Sequence, residues 1–131
     1  MDEQNKYHHG DLKNLLIKKV LDSVKNNNLE KFSIRKAARL LNVSPAAPYN
    51  HFNDKQALII ASIYYCKNEF INYLKNKILI NEYKENKKLS ILGKNYLQYA
   101  NNNPEIFIFM FSQTLSNKDR INSYDDFHKL F

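Results

Sequence analysis

The sequence predicts an all-α fold: apolar residues recur at helical spacing almost everywhere, and no turn dipeptides suited to hairpins separate short alternating runs. The composition agrees with a compact folded chain, at 44% hydrophobic and 25% charged residues with two glycines and three prolines in 131. Twenty Lys+Arg against thirteen Asp+Glu leave a net charge of +7, which favours polyanionic partners without naming one. The first sixty residues hold ten basic and six acidic residues and the remainder ten and seven, so net charge alone does not locate a binding face. Cys66 is the single cysteine, which excludes an intrachain disulfide and suits a reducing compartment, with the cytoplasm as the expected location. The longest apolar run, residues 106–111, is far below the ~18 residues of a membrane span. The polar start, Met1 to Lys6, lacks the apolar core of a secretory signal.

The first helix is expected to begin after Gly10 with Asp11 as N-cap. It carries Leu12, Leu16, Val20 and Val24 on one stripe, widened by Leu15, Ile17 and Leu21. Asn26-Asn27-Asn28 ends it, because asparagine tolerates the left-handed conformation. Ser33 is placed to cap a second helix, from about Ile34 to Leu41, with Phe32 stapled onto Ala37. Asn42 supplies a left-handed turn residue and Val43 an apolar plug, and Ser44-Pro45 reads as cap plus first-turn proline of a third helix ending near Phe52. Asn53 or Asp54 caps a longer fourth helix through Leu58, Ala61, Tyr65, Phe70 and Leu74 to about Asn81. Lys84 to Leu89 reads as a charged connector, followed by a fifth helix from Ser90 to Asn101. Asn103-Pro104 opens a sixth through Phe107, Met110, Phe111 and Leu115, and another start at Ile121 or Ser123 reaches Phe131.

Two short helices joined by a tight turn, the second opening with small residues, form a helix-turn-helix, whose second helix enters the major groove of DNA. Ala37 and Ala38 are small where the two helices cross, and Ile34, Leu41, Val43 and Phe52 supply a core shared with the first helix. Pro45, Ala46, Ala47, Tyr49 and Asn50 are left as an outward surface of apolar groups and one amide.

Tyr7-His8-His9-Gly10-Asp11-Leu12 and the run from Phe32 to Leu58 resemble the TetR-family DNA-binding domain over roughly residues 7–63. The most diagnostic piece is the Tyr49-x-His51-Phe52-x-x-Lys55-x-x-Leu58 spacing. The resemblance implies a cytoplasmic homodimeric transcriptional regulator, of which repression is the usual mode. Residues 1–55 would form the DNA-binding domain and residues 56–131 a helical effector-binding and dimerisation domain. The partners implied are double-stranded operator DNA, a second copy of the chain and an unidentified small-molecule effector, with no membrane, cofactor or metal. The site residues implied are Ser33, Arg35, Pro45, Ala46, Ala47, Tyr49, Asn50, His51 and Lys55. Tyr49, His51 and Lys55 would bind phosphates, Arg35 would reach a guanine edge or a phosphate, and Pro45, Ala46 and Asn50 would face bases. The residue types suit those roles, since Arg forks onto guanine, Asn onto adenine, and Ala meets a thymine methyl.

Two positions depart from the family pattern. Asn42 stands where glycine is usual and is the next-best left-handed residue. Pro48 stands where a larger aliphatic is common, and it removes the first intrahelical bond of the reading helix and tightens or bends that turn. Ala47 lacks a hydroxyl that many relatives carry, so one phosphate contact is expected to be missing.

Each reading has a plainer rival. Tyr49 and His51 could only pack the third helix against the fourth, Arg35 could be one solvated charge beside Lys36 and Arg39, and Lys55 could be a first-turn lysine. His8-His9 without a companion carboxylate or cysteine is poor metal-ligand spacing and suits an arm lying near DNA. Ser33-x-x-Lys36 matches a serine nucleophile pattern whose partner motifs are missing, and Asn42-Val43-Ser44 matches a glycosylation acceptor that has no secretion signal. No paired carboxylates, phosphate loop or nucleophile triad points to an enzyme. Aromatics at helical spacing, such as Phe70, Tyr96, Tyr99 and Phe107, are more often core than pocket. The rival function is a helical small-molecule-binding protein whose helix-turn-helix is vestigial or contacts protein. Because the family usually carries further helices, a chain stopping at Phe131 is expected to be truncated.

Overall fold

The computed structural model describes residues 2–79 and 85–112 of the chain. They form α1 (Asp2–Lys25), a 3-10 turn (Leu29–Lys31), α2 (Ile34–Leu40), a second 3-10 turn (Ala47–Asn50), α3 (Lys55–Leu79), α4 (Glu85–Asn102) and α5 (Pro104–Met110). The chain is all-α, as predicted, with no strand among the described residues. It divides into two compact units, Met1–Ser62 and Ile63–Phe131, with the division inside α3.

In the first unit the predicted stripe of α1 is the core. Leu12, Leu16, Val20 and Val24 are all buried, together with Ile17, and they are joined by Phe32, Ile34, Ala37, Ala38, Phe52 and Leu58. Each fully buried aliphatic side chain contributes ~1.5–3 kcal/mol relative to exposure, so this stripe is what holds a short helix such as α2 in place. α2 and the second 3-10 turn pack on each other and on α1.

In the second unit, Ile63, Cys66, Phe70 and Leu74 recur at helical spacing along α3 and are buried, as are Ile106, Phe109 and Met110 of α5. Around Phe70 the rings of Tyr99, Tyr96 and Phe107 lie at centroid distances of 4.7, 5.4 and 6.2 Å, in tilted and edge-on arrangements that suit ring quadrupoles. The aromatic residues at helical spacing are thus packed on one another.

Four element boundaries differ from expectation. α1 starts at Asp2 rather than after Gly10, so Asp11 lies inside the helix and its carboxylate accepts from the Asn14 side chain at 3.1 Å instead of capping. A single internal glycine weakens a helix by ~1 kcal/mol without ending it when propagation continues on both sides. The same backbone makes residues 8 and 9 helical rather than an arm. α4 starts at Glu85, so residues 85–89 are helix rather than connector. Glu and Lys are strong helix formers, and the exposed Lys87 and Lys88 mark a solvated face rather than a break. The third difference is the expected third helix, described below. The last described helix, expected to run through Phe111 to Leu115, stops at Met110 with Phe111 as its C-cap, and the expected start at Ile121 or Ser123 lies outside the described residues.

Candidate nucleic-acid interface

Local capping builds the helix-turn-helix. Ser33 is extended, at φ −134° and ψ 129°, and its hydroxyl accepts from the Lys36 backbone N–H at 3.2 Å, satisfying one of the free donors of α2. At the other end, Asn42 has φ 56°, while the Val43 N–H donates to the Ala38 carbonyl at 3.0 Å and the Asn42 N–H to the Arg39 carbonyl at 3.2 Å. This pair of bonds around a left-handed residue is the Schellman motif. α1 ends in the same way, with Asn27 at φ 52°, Asn28 donating to Ser23 and Asn27 to Val24. The turn is therefore closed by backbone bonds, and asparagine does the work that glycine does elsewhere.

The reading segment opens at Ser44, whose hydroxyl accepts from the Ala47 N–H at 3.2 Å. In place of the expected α-helix ending near Phe52, the segment is a 3-10 turn over Ala47–Asn50. Pro48 has no N–H to send to the Ser44 carbonyl, which accepts instead from Ala47 at 3.1 Å. Tyr49 then donates to Ala46 at 3.1 Å and His51 to Pro48 at 3.0 Å. Phe52 follows, buried, and Asp54 caps α3 by accepting from the Ala57 N–H at 2.8 Å.

Arg35 lies exposed in the first turn of α2, and Pro45, Ala46, Tyr49, Asn50 and His51 are exposed along the reading segment. Ser33 is half-buried and engaged as the cap. Ala47, expected on the outward surface, is buried at 6% exposure beside the fully buried Pro48. The tightened turn directs its small methyl inward, so Ala47 serves packing. Lys55 is half-buried and its ammonium donates to the Glu30 carbonyl at 3.4 Å, tying the first turn of α3 to the 3-10 turn after α1. That carbonyl offsets the unfavourable placing of a cation at a helix N-terminus, and the spacing of Lys55 within its motif did not foreshadow it.

A further feature escapes a charge count by halves. From Lys31 to Asn53 the chain has four basic residues, Lys31, Arg35, Lys36 and Arg39, and no acidic one. All four are exposed. A sliding charge window, rather than a division of the chain at residue 60, would have shown it. The segment thus combines cations able to neutralise phosphates with hydroxyl, imidazole and amide donors on one short stretch. Among the described residues no group of three or more side chains is arranged to hold a metal ion, and no helix is long and apolar enough to cross a membrane.

No family model matches the sequence. No curated protein matches it either. Among solved structures the chain is similar to a TetR family transcription regulator from Marinobacter aquaeolei VT8, at a TM-score of 0.72 and 16% identity, covering 99% of this chain and 68% of that one. The likeness establishes a TetR-like fold for this chain.

Proposed function

We propose that this chain, with its TetR-like fold, is a sequence-specific DNA-binding transcriptional regulator. The observation that carries the reading is the exposed helix-turn-helix surface, basic and free of acidic residues from Lys31 to Asn53, with Arg35, Tyr49, Asn50 and His51 exposed on it. Cations on a stretch without acidic residues suit a polyanion, and the guanidinium and methyl groups suit base edges. Residues 1–55 hold the DNA, with Ser33, Ala47 and Lys55 supporting the surface from within. Residues 56–131 receive a small effector and pair two copies of the chain.

A homodimer would present two reading segments to successive major grooves ~34 Å apart on a pseudo-palindromic operator in the cytoplasm. An effector releases or strengthens that grip only if it binds the two states with different affinity. Repression by occupancy is the simplest outcome of such binding.

Band-shift titration of the full chain against the DNA flanking its own gene tests the proposal. The expected result is a saturable, salt-sensitive shift of a defined fragment at concentrations where random DNA stays free. Equal affinity for both at every salt concentration would overturn it and favour a helical small-molecule-binding protein.

A further inference from the structure

We infer that Pro48 sets which side chains of the reading segment meet base edges, placing Ala46 and Tyr49 there and turning Asn50 toward the flank. The inference rests on the DNA-binding reading above and goes on to name what is read. With Pro48 lacking an N–H, the segment closes by bonds three residues back, Ala47 to Ser44, Tyr49 to Ala46 and His51 to Pro48, before a single four-back bond from Phe52 to Pro48 ends it. Side chains in such a turn advance by about 120° per residue, against about 100° in an α-helix. Ala46 and Tyr49 therefore fall on one line, and Asn50 lies about 120° round from Ala46 instead of the about 40° that α-helical pitch would give.

Burial supports this division. A threefold turn has three lines of side chains, and between Pro45 and His51 only the Ala46–Tyr49 line is exposed at both positions, ahead of buried Phe52. The line that ends in Asn50 begins at buried Ala47, and the line from Pro45 to His51 passes through buried Pro48. Asn50 is exposed at the end of a line that begins at buried Ala47, and on this inference its amide is left for a backbone phosphate. The exposed line offers a methyl and a ring, and both complement the C5 methyl of thymine. Preference in the half-site is therefore for thymine methyls read by apolar contact, rather than for adenine read by an amide fork.

The test begins with selection of a binding site from random DNA by the full chain. In the selected half-site each thymidine is replaced in turn by deoxyuridine, which lacks the methyl, and each adenosine by 7-deazaadenosine, which lacks the N7 acceptor. At one or more thymidines, deoxyuridine should weaken binding about fourfold, the equivalent of ~0.8 kcal/mol for one buried methyl-sized group. 7-Deazaadenosine should change affinity by less than about twofold in the wild type, because no amide fork is engaged. Asn50→Ala should select the same site. Pro48→Ala restores the missing N–H, and a cost at a 7-deazaadenosine position should then appear and vanish again in the Pro48→Ala/Asn50→Ala double variant.

A 7-deazaadenosine cost in the wild type that Asn50→Ala removes overturns the inference while leaving the DNA-binding reading intact. So does a folded Pro48→Ala chain with unchanged base responses. If circular dichroism shows Pro48→Ala to be unfolded, the uridine and Asn50→Ala results decide alone. A chain that selects no sequence overturns the DNA-binding reading and this inference with it.

Discussion

At Asn42 the backbone is left-handed, and the residue type there governs how cheaply the helix-turn-helix closes. Its φ of 56° is tolerated by asparagine and glycine and strained for branched side chains. Asn42→Val should destabilise the chain by about 1–2 kcal/mol while Asn42→Gly stays within a few tenths, as read from urea denaturation midpoints at constant slope. Tyr99 titrates above its usual value of 10.0 because burial disfavours the phenolate, reinforced by the nearby Cys66, Glu69 and Tyr73. A raised folded-state pKa gives a stabilisation that is fully present below about pH 10 and is lost as pH rises through the raised value. Melting temperatures should therefore fall above pH 10, and Tyr99→Phe should make that fall shallower. Both asparagine turns were legible in the sequence, since left-handed preference belongs to the residue itself. The bond from Lys55 to Glu30 was not, because it joins positions brought together only by packing.

Elements here begin and end on local chemistry where a cap exists and on propagation where it does not. Ser33, Ser44 and Asp54 each accept from the backbone N–H three residues on, as a capping residue should. Asp54→Ala should cost ~1 kcal/mol by removing the cap of α3, measured as a shift in thermal or urea unfolding. Gly10 and the charge-rich residues 85–89 misled for opposite reasons: a lone glycine does not end a helix, and polarity does not prevent one. The reading segment shows the limit of pattern more sharply. Ser44-Pro45 reads as a helix start, but Pro45 and Ala46 form a turn and the 3-10 turn begins at Ala47, where the missing N–H at Pro48 accompanies the tighter pitch and the inward face of Ala47. In α3 the stripe of Ile63, Cys66, Phe70 and Leu74 is buried throughout, with Phe70 at the centre of the ring cluster. Phe70→Ala should cost ~3–5 kcal/mol through the cavity it leaves, visible as a large drop in the melting temperature.

Across the whole molecule the dominant electrostatic feature is a net charge of +7, with its acid-free stretch on the helix-turn-helix. The proposed binding to DNA should weaken steeply with salt, with the logarithm of affinity linear in the logarithm of salt concentration. His51 is exposed at the end of the reading segment, beside Tyr49 and Asn50. If it donates to a phosphate, His51→Ala should weaken all sequences alike, measured by titration on operator and random fragments, and a base preference that changes in this variant would remove it from the phosphate set. Arg35→Ala separates its two roles in the same assay: loss of preference at one base position marks guanine reading, while a uniform loss with a salt slope shallower by about one marks phosphate. The division into two units inside α3 could not be read from composition, because a continuous helix carries no break in its pattern where packing partners change.

By itself the sequence determined the all-α class, the buried stripe of α1, the caps at Ser33 and Asp54 and the left-handed turns, because helical periodicity and capping depend on residues a few positions apart. The structure added the start of α1, the helical nature of residues 85–89, the inward face of Ala47 and the carbonyl that holds Lys55. These depend on which backbone donors and acceptors find partners once the chain is packed. At Pro48 the sequence supplies the missing donor, and only the packed turn shows where the bonds go instead.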